Sequence, residues 1–181
     1  LPMSRRPSGS KPVVCLLGES TLVGEYAASC AAGGYVVQQT LLHDAGRSAG
    51  KRFGLPRGIR IVARPSRTVD LALELTNTSR EAKRKNLLLL GKTLRHETPI
   101  ISSSVTVTLA EQSRWVRNPE RLVGMAALPT FLSGNLIEFA ATSWTNEESR
   151  QSARRFAESL SKEHAFVQDS AGMVLPRIIC C

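Results

Sequence analysis

The run Val13 to Leu17, five apolar residues closing on Gly18, does most to restrict what this chain can become. Thr21 to Ala32 follows with small and apolar residues at helical spacing, and Gly33-Gly34 stops it. Tyr35 to Thr40 then restarts an extended pattern. Strand, glycine turn, helix, glycine stop and strand make one βαβ unit, and its crossover demands a parallel sheet.

The same alternation continues. Residues 42 to 58 carry glycines, Pro56 and basic side chains and read as loop, with a short helix at most. Strands are expected at Ile59 to Ala63, Leu71 to Leu75 and Ile100 to Ser103. Between the last two, Ser79 N-caps a helix to Leu94 with Leu87, Leu90 and Leu94 on one face. Arg121 to Ala126 and Asn135 to Ala141 are further strands, Asn146 caps a helix to about Lys162, and Ala165 to Gln168 closes the series. The inward residues of that last helix are Ala153, Phe156, Ala157 and Leu160. This order predicts an α/β fold: a doubly wound, mostly parallel, Rossmann-like sheet in a single domain over residues 13–181. Residues 1–12, LPMSRRPSGSKP, have no periodic pattern and form an extended basic arm that does not fold alone.

With 42% hydrophobic residues and 22% charged, the composition is that of a globular protein. The longest apolar runs fall far short of the roughly 20 residues of a membrane span. Cys15, Cys30, Cys180 and Cys181 form no CxxC pair, and His43, His96 and His164 are scattered, so no metal is expected. The net charge of +9 points to an acidic partner: an acidic protein, RNA or an anionic lipid surface. Arg47, Lys51, Arg52, Arg57, Arg60, Arg64 and Arg67 lie in an acid-free stretch and are the partner-binding candidates. Arg80, Lys83, Arg84 and Lys85 make a second basic cluster.

A working dinucleotide turn reads G-x-G-x-x-G, because the first glycine turns the chain, the second admits the pyrophosphate and the third lets helix and strand pack closely. Here the stretch is Gly18-Glu19-Ser20-Thr21-Leu22-Val23-Gly24, with only Gly18 in register. Ser20 and Val23 add side chains at the other two positions, and Glu19 adds a negative charge beside a dianionic ligand. Gly24 replaces the third glycine only if the turn shifts locally. Where a carboxylate normally holds the ribose, the sequence has Thr40 and Leu41, with Asp44 beyond. Gly18, Ser20, Val23 and Gly24 are therefore vestigial cofactor positions.

From Arg117 to Ile178, and more weakly back to Val13, the chain resembles the 3-hydroxyacyl-CoA dehydrogenases. That family's ERxxGxHFFNP stretch is matched at Glu120-Arg121 and Gly124, and its LVE at Leu136-Ile137-Glu138. The resemblance implies that Ala126 occupies the place of the catalytic histidine and that Glu138 is the glutamate that orients it. A histidine serves there because an imidazole of near-neutral pKa accepts the hydroxyl proton as hydride leaves for NAD. The motif's asparagine falls on Pro129, and the asparagine of PGFxxNR falls on Pro176. The serine that assists the substrate hydroxyl falls on Val105. Only about 28 residues stand where the family carries its coenzyme A-contacting arm, and the helical C-terminal domain is not represented. Its loss exposes apolar surface that a partner must cover.

The expected function is a non-catalytic, dehydrogenase-like structural subunit of a multiprotein assembly, with no cofactor. The parent family's role in fatty-acid oxidation and the acid-free N-terminus point to mitochondria, to a respiratory-chain complex or a mitoribosome. Residues 1–12, Arg47 to Arg67 and Ile178 to Cys181 are the expected contacts. Two alternatives stay open: an NAD-dependent dehydrogenase or residual NAD binder, and an RNA-contacting basic module.

Overall fold

In a computed structural model, the structure describes residues 10–18, 20–40, 58–127, 134–174 and 177–178, with backbone alone over 20–22. Eight strands form one sheet in the order β3-β2-β1-β4-β5-β6-β7-β8. They are β1 Val13–Gly18, β2 Val36–Thr40, β3 Ile59–Val62, β4 Leu71–Leu75, β5 Ile100–Ser103, β6 Leu122–Ala127, β7 Leu136–Ala140 and β8 Glu163–Val167. Every neighbouring pair is parallel except β6 and β7. This is the expected mostly parallel, doubly wound α/β sheet.

Two layers cover it. On one face lie α1 Ser20–Ala32 and α4 Glu147–Ser159, whose Val23, Tyr26, Ala27, Cys30, Ala153, Phe156 and Ala157 share a core with Val14, Leu16, Leu73 and Phe139. On the other lie α2 Arg80–Thr93 and the short α3 Leu109–Ser113, which pack Leu87, Leu90 and Leu109 against Cys15, Leu17, Ala72 and Ala126. The two caps read from the sequence hold: Ser79 accepts from the Ala82 N–H and Asn146 from the Ser149 N–H. Leu160, expected to point inward, is half-buried and packs on the core edge.

Two details differ from the sequence reading. α3 was not anticipated. It forms because Thr108 caps it and the Asp169 carboxylate accepts from the Leu109 and Ala110 N–H groups, a partner 60 residues away. β8 starts at Glu163, two residues early, because it pairs only with β7 and its edge exposes Glu163 and Ala165. The short helix allowed within residues 42–58 falls almost wholly on residues 42–57, outside the described residues. Residues 63–70 cross from β3 to β4 as an irregular strap of bends with a turn closed by the Val69 N–H on the Ser66 carbonyl, held by the Ser66 N–H on Gln38 Oε1 at 3.1 Å and by Asp70 accepting the Val13 N–H at 2.7 Å. Val69 seals this strap onto the α2 side.

Candidate cofactor and catalytic cleft

Parallel strands in this order direct the carboxyl ends of β1, β4, β5 and β6 to one edge, where the loops that follow them meet. At β1 the turn residue Gly18 has φ +146, and a Cβ there would lie 2.8 Å from the Leu75 carbonyl carbon, so glycine is required. The third position of the turn is not open. Val23 is 1% exposed and sits in the core beside Tyr26 and Ala27, where burial of such a side chain contributes roughly 1.5–3 kcal/mol. Gly24 is exposed on α1 with nothing within 4 Å of an added Cβ, so it does not stand in for the missing close-packing glycine. At the end of β2, Thr40 is 1% exposed and its Oγ1 is buried without a hydrogen-bond partner. Glu19, Leu41 and Asp44, and the Ser20 side chain, lie outside the described residues.

The catalytic positions implied by the resemblance do come together. Ala126 on β6 is the direct antiparallel partner of Glu138 on β7, so both project from one face. Ala126 is 1% exposed and packs in the α2-side core. One Glu138 carboxylate oxygen accepts the Val174 N–H at 3.0 Å. The segment before Val174 is tied to the end of β5 by the Gly172 N–H on the Ser104 carbonyl at 3.0 Å. Met173 lies between these ties in the left-handed region, φ +46, with its side chain fully buried. Its Cε would be 3.0 Å from a Cβ on Gly124, two residues from Ala126 on the same face. Apolar packing thus occupies the neighbourhood in which an imidazole would stand. Val105, half-buried after β5, packs on the same core. Pro129 and Pro176 lie outside the described residues.

A polar cluster that the sequence reading missed lies at the ends of β4 and β5. Glu74 is fully buried, and the Lys83 ammonium, 1% exposed, pairs with its Oε2. Lys83 also donates to the Ser103 carbonyl at 2.9 Å and Ser102 Oγ at 3.3 Å. The Glu74 carboxylate takes further bonds from the Thr76 N–H, Asn86 Nδ2 and Ser102 Oγ at 3.1–3.2 Å. Lys83 therefore does not belong to the surface cluster assigned to it from sequence. The apolar run around Glu74, LALEL, was the available signal: a lone carboxylate in a fully buried strand requires a partner.

Of the remaining second cluster, Arg80 pairs with Glu111 at 2.5 Å and Lys85 with Glu81 at 2.7 Å, while Arg84 has no acidic partner among the described residues. Arg60, Arg64 and Arg67 are exposed, whereas Arg47, Lys51, Arg52 and Arg57 lie outside the described residues, as do residues 1–9 and 179–181. Ile178 is 66% exposed. Among the described residues no group of three or more His, Cys, Asp or Glu side chains could hold a metal ion. Burial pushes the Cys15 and Cys30 thiols up to about 12, Thr40 partly opposing this at Cys15.

No family model and no curated protein matches the sequence. Solved structures do match in fold. The (S)-3-hydroxybutyryl-CoA dehydrogenase of Ralstonia eutropha superposes with a TM-score of 0.79 at 19% identity, over 94% of this chain and 68% of its own. A diketoreductase gives 0.83 at 20% identity, over 94% and 69%. The 3-hydroxybutyryl-CoA dehydrogenase of Escherichia coli gives 0.75 at 16% identity over 90% of this chain, which spans only 39% of that one. The domain therefore has the Rossmann fold seen in the 3-hydroxyacyl-CoA dehydrogenases and related NAD-dependent dehydrogenases.

Proposed function

We propose that this domain is a non-catalytic, dehydrogenase-like structural subunit of a larger multiprotein assembly, a mitochondrial one such as a respiratory-chain complex or mitoribosome. The observation that carries the reading is Ala126, buried opposite Glu138 where the dehydrogenase reaction needs a proton acceptor. Alanine takes no proton, and Val105 offers the substrate hydroxyl no hydrogen bond. Two features speak against tight NAD binding: Val23 occupies the helix–strand contact, and the buried Thr40 supplies no ribose carboxylate. The acid-free N-terminal arm supports the mitochondrial assignment.

Two measurements test it. Calorimetric titration should give no NAD binding tighter than the millimolar range, and NAD reduction with 3-hydroxyacyl-CoA substrates should not exceed a protein-free control. A low-micromolar dissociation constant or measurable turnover would replace this reading with that of an NAD-dependent dehydrogenase. Migration of the protein in native cell extracts at its own mass would remove the assembly.

A further inference from the structure

We propose that the layer formed by the 63–70 strap, α2 and the 109–118 segment is a docking surface for the phosphate backbone of an RNA double helix. This goes beyond the scaffold reading, and it moves the expected contact from the Arg47 to Arg67 loop to a whole face of the domain.

The charge is polarised. Residues 58–121 carry twelve Lys or Arg against six Asp or Glu, whereas 134–178 carry five against six, and α1 has Glu25 alone. Within the first group Lys83 and Arg121 are buried, and Arg80, Lys85 and Arg95 are paired with Glu111, Glu81 and Glu97. Seven cations remain exposed without an acidic partner among the described residues: Arg60, Arg64, Arg67, Arg84, Lys92, Arg114 and Arg117.

They belong to one layer. Arg60 alternates along β3 with Ile59, which packs on the α1 side, so Arg60 projects to the α2 side. Arg64 and Arg67 ride on the strap, which Val69 seals to that same core. Arg84 and Lys92 stand on the outer flank of α2, eight residues and about 12 Å apart. The 111–118 segment runs beside α2: Arg80 lies 5.8 Å from the Trp115 ring at one end, and His96 meets Asn118 at 2.9 Å near the other. Arg114 and Arg117 project from this segment.

The chemistry selects the partner. Six of the seven cations are arginines, whose planar forks match phosphate oxygens two bonds at a time. Base reading has nothing to work with. Asn77, Asn86, Gln112 and Asn118 all make internal hydrogen bonds, and Trp115 lies against Arg80. Among the described residues the layer's one long helix, α2, lies along the sheet with Leu87 and Leu90 in the core, and its exposed flank carries Arg84 and Lys92 rather than amide side chains that read bases. Contact restricted to backbone and shape is how an RNA helix is held. A lipid surface is less suited, because Leu88, 39% exposed, is the layer's single exposed large hydrophobic among the described residues.

The test is fluorescence anisotropy of the intact chain with an RNA duplex of about 20 base pairs, across a salt series. Binding should lie in the roughly 1–100 μM range expected of phosphate-dominated contacts and weaken steeply with salt. Each of Arg84→Gln, Arg114→Gln and Arg117→Gln should reduce the log-log salt slope by about 1, and the triple variant should weaken binding at least tenfold. Arg155→Gln on α4 should leave it unchanged, and circular dichroism should show all variants folded. A salt-insensitive affinity, or a triple variant that binds like the parent, overturns the surface. Equal binding to a DNA duplex, or tighter triple-sensitive binding to phosphatidylserine vesicles, overturns the RNA assignment.

Discussion

Replacing Lys83 by methionine removes the ammonium that neutralises Glu74 and leaves a fully buried carboxylate facing the Thr76 N–H, Asn86 and Ser102 alone. Breaking one side of a buried pair costs about 3–5 kcal/mol, because the remaining charge has neither water nor partner. For a chain of this size each kcal/mol shifts the melting temperature by about 2–4 °C, so Lys83→Met should melt roughly 6–20 °C lower. Glu74→Leu should be at least as damaging, since it orphans the buried ammonium and three further donors at once. Urea unfolding followed by circular dichroism measures both. The reasoning treats this cluster as a staple between β4, β5 and α2 rather than as a retained site. A loss below about 1 kcal/mol, or a gain in stability, would refute it, because groups kept for a ligand are commonly destabilising in its absence.

Ala126→His should not create dehydrogenase activity, since Val105 remains and catalytic groups act as a unit; crowding beside Met173 should cost about 1–3 kcal/mol, read by NAD reduction assays and thermal melts. Cys15 and Cys30, raised from 9.0 to about 12, should resist alkylation at pH 8 in the native protein and react on unfolding, as mapped by mass spectrometry. The same shifts make the unfolded chain lose protons first, so stability should fall as pH rises from about 9 towards 12; urea midpoints that hold steady over that window would contradict the burial. Arg121, buried at the end of α2, donates to the Arg95 and Gly91 carbonyls, and Arg121→Met should cost about 1.5–3 kcal/mol in denaturant midpoints.

Apolar period and punctuation carried most of the architecture. β4 and β5 have the bounds read from the sequence, and Ser79 and Asn146 cap the helices they were expected to cap. Such signals are local, and so are the forces that act on them. α3 was invisible because its first N–H groups are satisfied by Asp169, far along the chain, and a five-residue helix has no propensity of its own to read. The strap was illegible for a related reason: it lies on β2 through Gln38, a polar residue whose pairing depends on register rather than composition. In the cleft, positions 126 and 138, twelve apart in sequence, became a cross-strand pair because β6 pairs with β7 antiparallel. Lys83 was misread because neighbouring charges in a sequence say nothing of which one the helix turns inward. On α2, Lys83 falls on the buried side with Asn86, Leu87 and Leu90, while Arg84, one residue on, faces solvent.

That division bears on the proposal that this dehydrogenase-like fold serves without dehydrogenase chemistry. The positions that resemblance ties to catalysis and cofactor binding are filled by groups that now pack: Val23 against Tyr26 and Ala27, Ala126 with Ala140 and Met173, Val105 on the same core. Several polar groups at the ends of β4 and β5 are committed to one another, Glu74 to Lys83 and Asn86, Ser103 to Asn77, and the Gln112 amide N–H groups to the Ser103 and Val107 carbonyls, whereas Thr40 Oγ1 at the end of β2 and Gln112 Oε1 are buried without a hydrogen-bond partner. A site that awaits a ligand keeps donors and acceptors that only the ligand satisfies, and their cost must be borne by the rest of the fold. The uncompensated charge lies instead on the outer side of the strap, α2 and the 109–118 segment, on side chains whose removal would cost the core little. Exposed arginines without acids repel one another and gain chiefly when an anion arrives, so selection for a partner is a sufficient reason to keep them there.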